Sequence, residues 1–150
     1  MENQRKHDCM LMLIAQTRAI IQNLKDEETK CYTQFYRCKE VVSDVESLSV
    51  VQMYLSKTKA LEKYMEIANK NSEQEVFEKI DALRNQVGIL RNNEIVISYL
   101  NGKKHLEDLH RQCVESSRLR KKYENDLQRY IKELVRYKRR IQQNDTEKFM

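Results

Sequence analysis

Proline and tryptophan are absent from this 150-residue chain, and glycine occurs only at Gly88 and Gly102. Turns draw heavily on Gly and Pro, and a β-rich or α/β fold of this length needs many turns. Their scarcity excludes such folds and leaves an all-α chain. Two glycines also leave no material for a phosphate-cradling loop. No GxxxxGK, GxGxxG, HExxH or GxSxG run occurs. Cysteine is sparse: Cys9, Cys31, Cys38 and Cys113 form no CxxC pair and no disulfide-dense pattern. Long apolar runs are missing too. Cys9 to Ala15 is too short to span a bilayer, its flank is mixed in charge, and no small-residue cleavage site follows. These absences predict an intracellular protein, cytoplasmic or nuclear, with reduced thiols and no membrane association.

What is present is charge and periodicity. Charged residues make up 34% of the chain and apolar ones 40%, which suits narrow apolar seams with wet outer faces. Residues 1–100 carry 14 Lys+Arg against 15 Asp+Glu, and residues 101–150 carry 14 against 8. The last third is therefore where an acidic partner would be sought.

The clearest pattern runs from Leu106 to Ile141. Leu106, Leu109, Cys113, Ser116, Arg120, Tyr123, Leu127, Tyr130, Leu134, Tyr137 and Ile141 step by three and four, as positions a and d of successive heptads. No Pro or Gly interrupts it. A single helix cannot hide such a stripe, so another helix must cover it.

Residues 1–68 read as one long N-terminal coiled-coil helix, with its heptads running from residue 9 to about 68. With Met10 at a, the a positions are Met10, Thr17, Leu24, Cys31, Cys38, Val45 and Gln52. The d positions are Leu13, Ile20, Glu27, Gln34, Val41, Leu48 and Leu55. Ile14, Ile21, Phe35 and Val42 add apolar e positions, which suits a helix with more than one neighbour. Ser43-x-x-Glu46 has capping-box form and offers a restart. Because Val41, Val45, Leu48 and Leu55 keep register across it, a continuous helix is the preferred reading. Residues 69–75 read as a turn, with Ser72-x-x-Glu75 capping the next helix. That helix covers 76–100, along Val76, Ile80, Leu83, Val87, Leu90, Glu94 and Ile97. A break follows at 101–104, signalled by Asn101-Gly102. A basic helix spans 105–143, and 144–150 form a frayed tail.

The expected architecture is thus an elongated coiled coil: a helical hairpin or bundle of two to three long helices. In a hairpin folded at 69–72, the weak stretch 39–49 faces the break at 92–102, and Cys38 lies near Tyr99. The rival is an open rod covered wholly by other chains.

No catalytic constellation emerges. His110 and Cys113 offer two ligands where a structural zinc takes four. Glu27-Glu28 and Glu107-Asp108 are ordinary helix-surface charge. The chain reads as non-enzymatic, with no catalytic residues, cofactor, metal or small-molecule substrate. Its predicted partner-helix seam comprises Leu106, Leu109, Tyr123, Leu127, Tyr130, Leu134, Tyr137 and Ile141, with Leu13, Ile20, Leu24, Val45 and Leu48. Outside that seam lie Arg118, Lys121, Lys122, Arg129, Lys132, Arg136 and Arg139, at positions b, c and f. They offer a polyanion-binding stripe for nucleic acid or an acidic, tubulin-like surface. Lys138-Arg-Arg140 has the form of a weak nuclear import signal.

This pattern resembles that of small coiled-coil subunits of multi-protein assemblies, such as kinetochores, spindle-associated complexes and vesicle tethers. The resemblance implies a structural subunit that recognises the helices of other subunits. Arg120, Glu94, Gln52, Gln34 and Glu27 at seam positions would bury poorly against their own copies, which favours a hetero-oligomer.

Overall fold

A computed structural model describes residues 1–70 and 73–148. Four helices account for 96% of them, and no strand occurs among the described residues. These are α1 (Glu2–Glu46), α2 (Ser49–Lys70), α3 (Gln74–Arg91) and α4 (Glu94–Lys148). The protein is all-α. Among the described residues no helix is long and apolar enough to cross a membrane. The chain divides into two compact units. One is Gln34–Leu109; the other joins residues 1–33 to the chain from His110 onward.

The Gln34–Leu109 unit holds the larger core. Val42, Val51, Tyr54, Val96 and Tyr99 are buried together. Cys38, Val45, Val50, Leu55, Val87, Leu90 and Leu100 pack around them. Cys38 thus packs against the cluster containing Tyr99. Along this part of α1, higher numbers meet lower numbers on α4. Val42 lies beside Gly102, while Glu46 accepts a hydrogen bond from the Tyr99 hydroxyl at 3.3 Å. Burial raises the Tyr99 phenol above its usual range. α2 packs on α3, where Lys79 donates to the Tyr64 hydroxyl at 3.1 Å.

The long N-terminal helix expected over 1–68 is interrupted at Ser47-Leu48, and the helix then runs on to Lys70. Local side chains support the interruption. The Ser47 hydroxyl donates to the Asp44 carbonyl at 2.6 Å, and the Gln52 amide donates to the Glu46 carbonyl at 2.7 Å. Such bonds offer the backbone an alternative to the helical ladder. The Ser43–Glu46 restart does not occur either, because both residues lie within α1.

The second break also moves. The expected helix 76–100 ends at Arg91, and residues 101–104, expected as a break, lie inside α4. The chain turns instead at Asn92-Asn93. The Asn92 N–H donates to the Ile89 carbonyl at 3.2 Å, and the Asn93 N–H to the Leu90 carbonyl at 3.0 Å. The Asn93 side-chain oxygen accepts from the Ile95 N–H at 2.9 Å and the Val96 N–H at 3.4 Å, which is N-cap chemistry. Burial of Val96 and Tyr99 then holds the β-branched run Ile95–Ile97 helical. Gly102 serves close approach rather than termination. A Cβ there would lie 3.1 Å from Val42 Cγ2, and its φ is not positive.

The turn expected at 69–75 overlaps helix at both ends, since α2 reaches Lys70 and α3 begins at Gln74, and residues 71–72 lie outside the described residues. Glu73 is extended at φ −66° and ψ 140° and makes no side-chain cap. The proposed Ser72 cap lies outside the described residues. In the other unit, Ile14, Thr17 and Ile21 are buried on α1 and Cys113 is buried on α4. The Thr17 hydroxyl is accommodated there by donating to the Leu13 carbonyl at 2.7 Å. α4 continues to Lys148, so residues 144–148 are helical rather than a frayed tail.

Candidate functional site

The face that α1 buries differs from the expected one by one residue. Ile14, Thr17, Ile21, Leu24, Glu28, Cys31, Phe35, Cys38, Val42 and Val45 are buried or half-buried and step by three and four. These are the a and e positions. Of the expected d set, Ile20, Glu27, Gln34, Val41 and Leu48 are exposed, while Leu13 is half-buried. Val41 is 62% exposed beside Val42 at 7%. The a positions Leu24 and Val45 stand as expected, whereas Ile20 and Leu48 leave the intramolecular seam. The physical reason is composition. Apart from the a positions that both share, the d set within α1 carries Glu27 and Gln34, where the e set carries Glu28 alone.

On α4 the ladder is the less exposed face of the helix. Leu109 and Cys113 are buried; Leu106, Ser116, Arg120, Tyr123, Leu127, Tyr130, Leu134, Tyr137 and Ile141 are half-buried. Sequence reasoning missed its extension into Val96 and Tyr99, and the role of Val51 and Tyr54 opposite them. Reading the three-and-four spacing backward past the supposed break at Gly102 would have found the α4 pair.

Glu28 is tolerated in the seam because Arg120 meets it. The Arg120 guanidinium donates to both Glu28 carboxylate oxygens and to both oxygens of Glu124, the latter at 3.1 Å. Ser117 also donates to Glu28 at 2.8 Å, and its hydroxyl lies 3.4 Å from that of Tyr32. The Arg120 bonds, opposed in part by burial, hold the Glu28 carboxyl below its ordinary value. The same partners raise the guanidinium. A charged layer inside an apolar stripe tolerates little sliding, because a slip of one turn separates the ions. This layer can fix the register of α1 against α4.

Arg120 finds its counter-charge within the chain, and Glu27, Gln34, Gln52 and Glu94 are exposed. None of these residues requires a foreign partner for burial.

All seven residues of the basic stripe are exposed. Arg118 is held by Glu115 and Arg129 by Asp126, and Arg129 also lies over the Tyr130 ring at 5.3 Å. Lys122, Lys132, Arg136 and Arg139 form no ion pair among the described residues. The structure therefore leaves a cationic line along the outer face of α4. Among the described residues no group of three or more His, Cys, Asp or Glu is placed to hold a metal. Comparison with protein-family models, curated protein sequences and solved structures finds no match to this chain.

Proposed function

We propose that this protein is a non-enzymatic structural subunit that folds as an antiparallel helical hairpin and recognises the helices of other subunits. Kinetochore, spindle and tether-type complexes are the kind of assembly it suits. The hairpin is supported by contacts of opposite order, Glu46 to Tyr99 and Val42 to Gly102 in one unit, Glu28 to Ser117 in the other.

The observation that carries the partner reading is the apolar surface on α1. Leu11, Met12 and Ile20 are exposed in one unit, and Val41 in the other. In each unit these side chains sit beside a face that is already buried, so α1 keeps further apolar side chains that no described residue covers. A helix from another subunit would remove it from water at roughly 25 cal/mol per Å². Isolation of the native complex, followed by cross-linking, tests this reading. The Ile20→Asp, Val41→Asp double variant is expected to keep its helicity and lose the other subunits. Retention of the same subunits by that variant would contradict it.

A second reading has its own observation, the exposed cations of α4 without ion pairs. In this reading Lys122, Lys132, Arg136 and Arg139 bind nucleic acid or an acidic filament surface. Binding should fall steeply with salt and be lost on changing Arg129, Lys132, Arg136 and Arg139 to Gln. Indifference to duplex DNA and to acidic filaments at low salt would end it.

A further inference from the structure

We propose that Cys31 and Cys113 form a reversible intrachain disulfide site that ties α1 to α4. The register beside the pair is set by hydrogen bonds. Glu28 takes Ser117 and Arg120, and Tyr32 lies against Ser117. One turn forward from Glu28 on α1 is Cys31, and one turn back from Ser117 on α4 is Cys113. That register sets the two thiols against each other, close enough for Cys31 to influence the ionisation of Cys113. Both sit on the inward faces of their helices, Cys113 fully buried and Cys31 partly open to solvent.

That asymmetry orders the chemistry. Burial raises the Cys113 thiol and shields it, so Cys31 reacts first. The oxidant is a low-molecular-weight disulfide. The Cys31 thiol loses its proton to water, and its thiolate attacks one sulfur of the oxidant. A mixed disulfide forms on Cys31 and one small thiolate leaves. Cys113 then loses its proton and attacks the Cys31 sulfur, releasing the second small thiolate. Two protein thiols are oxidised, one small disulfide is reduced to two thiols, and the cross-link closes a long loop. Closing such a loop restricts the unfolded chain, so the oxidised protein melts at a higher temperature.

The test uses the full chain carrying Cys9→Ser and Cys38→Ser, reduced and then given excess oxidised glutathione. The intact mass should fall by two hydrogens, and a non-reducing peptide map should join the Cys31 and Cys113 peptides. Tm should rise by several degrees and return on reduction. Adding Cys113→Ser should trap one glutathione on Cys31, and adding Cys31→Ser should leave Cys113 unmodified unless urea is present. Circular dichroism before oxidation confirms that each variant is folded; if Cys113→Ser is not, Cys113→Ala replaces it. A glutathione retained on Cys31 despite an intact Cys113, a link between two chains, or native Cys113 reacting as fast as Cys31 would overturn the proposal.

Discussion

Glu28 shows how one residue is governed by what faces it. On sequence alone it is an exposed acid beside Glu27; in the structure it occupies the seam because Arg120 and Ser117 supply the donors. Removing one member of such a layer leaves the other half-buried without its partner. Glu28→Ala is expected to lower Tm by several degrees, and Glu27→Ala to leave it nearly unchanged. Glu28→Gln and Arg120→Gln should be non-additive in a double-mutant cycle. The pH dependence has a definite sign. A carboxyl held below its ordinary value of 4.5 adds stability that is fully present above that value. It is lost as pH falls through the lowered native value. Thermal melts from neutral pH down to about 3 should therefore decline less steeply in Glu28→Gln than in the parent protein.

The two glycines provide a matched residue-scale comparison. Both lie inside helices, where Ala is favoured over Gly by about 0.5–1 kcal/mol. Gly88 has open space around it, so Gly88→Ala should gain close to that amount. At Gly102 the new methyl group would meet buried, stiff Val42 at 3.1 Å. Gly102→Ala should gain less or lose stability, as read by denaturant unfolding. Equal gains at the two sites would remove close approach as the reason for Gly102.

At the scale of elements, the α4 ladder was legible because three-and-four spacing continues through eleven positions with one charged exception, Arg120. The seam of α1 was harder to read because two overlapping stripes share the a positions. The choice between them depends on whether Glu27 and Gln34, or Glu28 and Phe35, turn inward. Arg120 makes Glu28 acceptable there, and Arg120 lies too far along the chain for a local pattern to include it. The breaks followed the same logic. Asn92-Asn93 and Asn101-Gly102 are both plausible stops in isolation. Packing of Val42 against Gly102 and burial of Val96 and Tyr99 keep helix at the second, while Asn93 caps the new helix at the first. The reassigned seam gives a direct element-scale expectation. Ile21→Ala should cost about 2–4 kcal/mol in urea unfolding of the isolated chain, and Ile20→Ala less than about 1. The reverse order would restore the a/d stripe.

At the scale of the whole molecule, all-α class was fixed by what the composition lacks, whereas the partner-facing surface emerged only once the intramolecular seam was assigned. Residues expected in the partner seam separate into two groups. Leu13, Leu24, Val45, Leu106 and Leu109, with the ladder from Tyr123 to Ile141, are buried or half-buried within their own units. Ile20 and Leu48 remain on the outside. The proposed hetero-oligomer therefore rests on exposed apolar side chains, and polar seam residues no longer support it. The most direct measurement is a cross-linking map of the complex purified from its native source. The account predicts cross-links from residues flanking Ile20 and Val41 to helical segments of a different chain, abolished by Ile20→Asp with Val41→Asp. A fully helical, stable monomer with no cross-link to any other chain would contradict it.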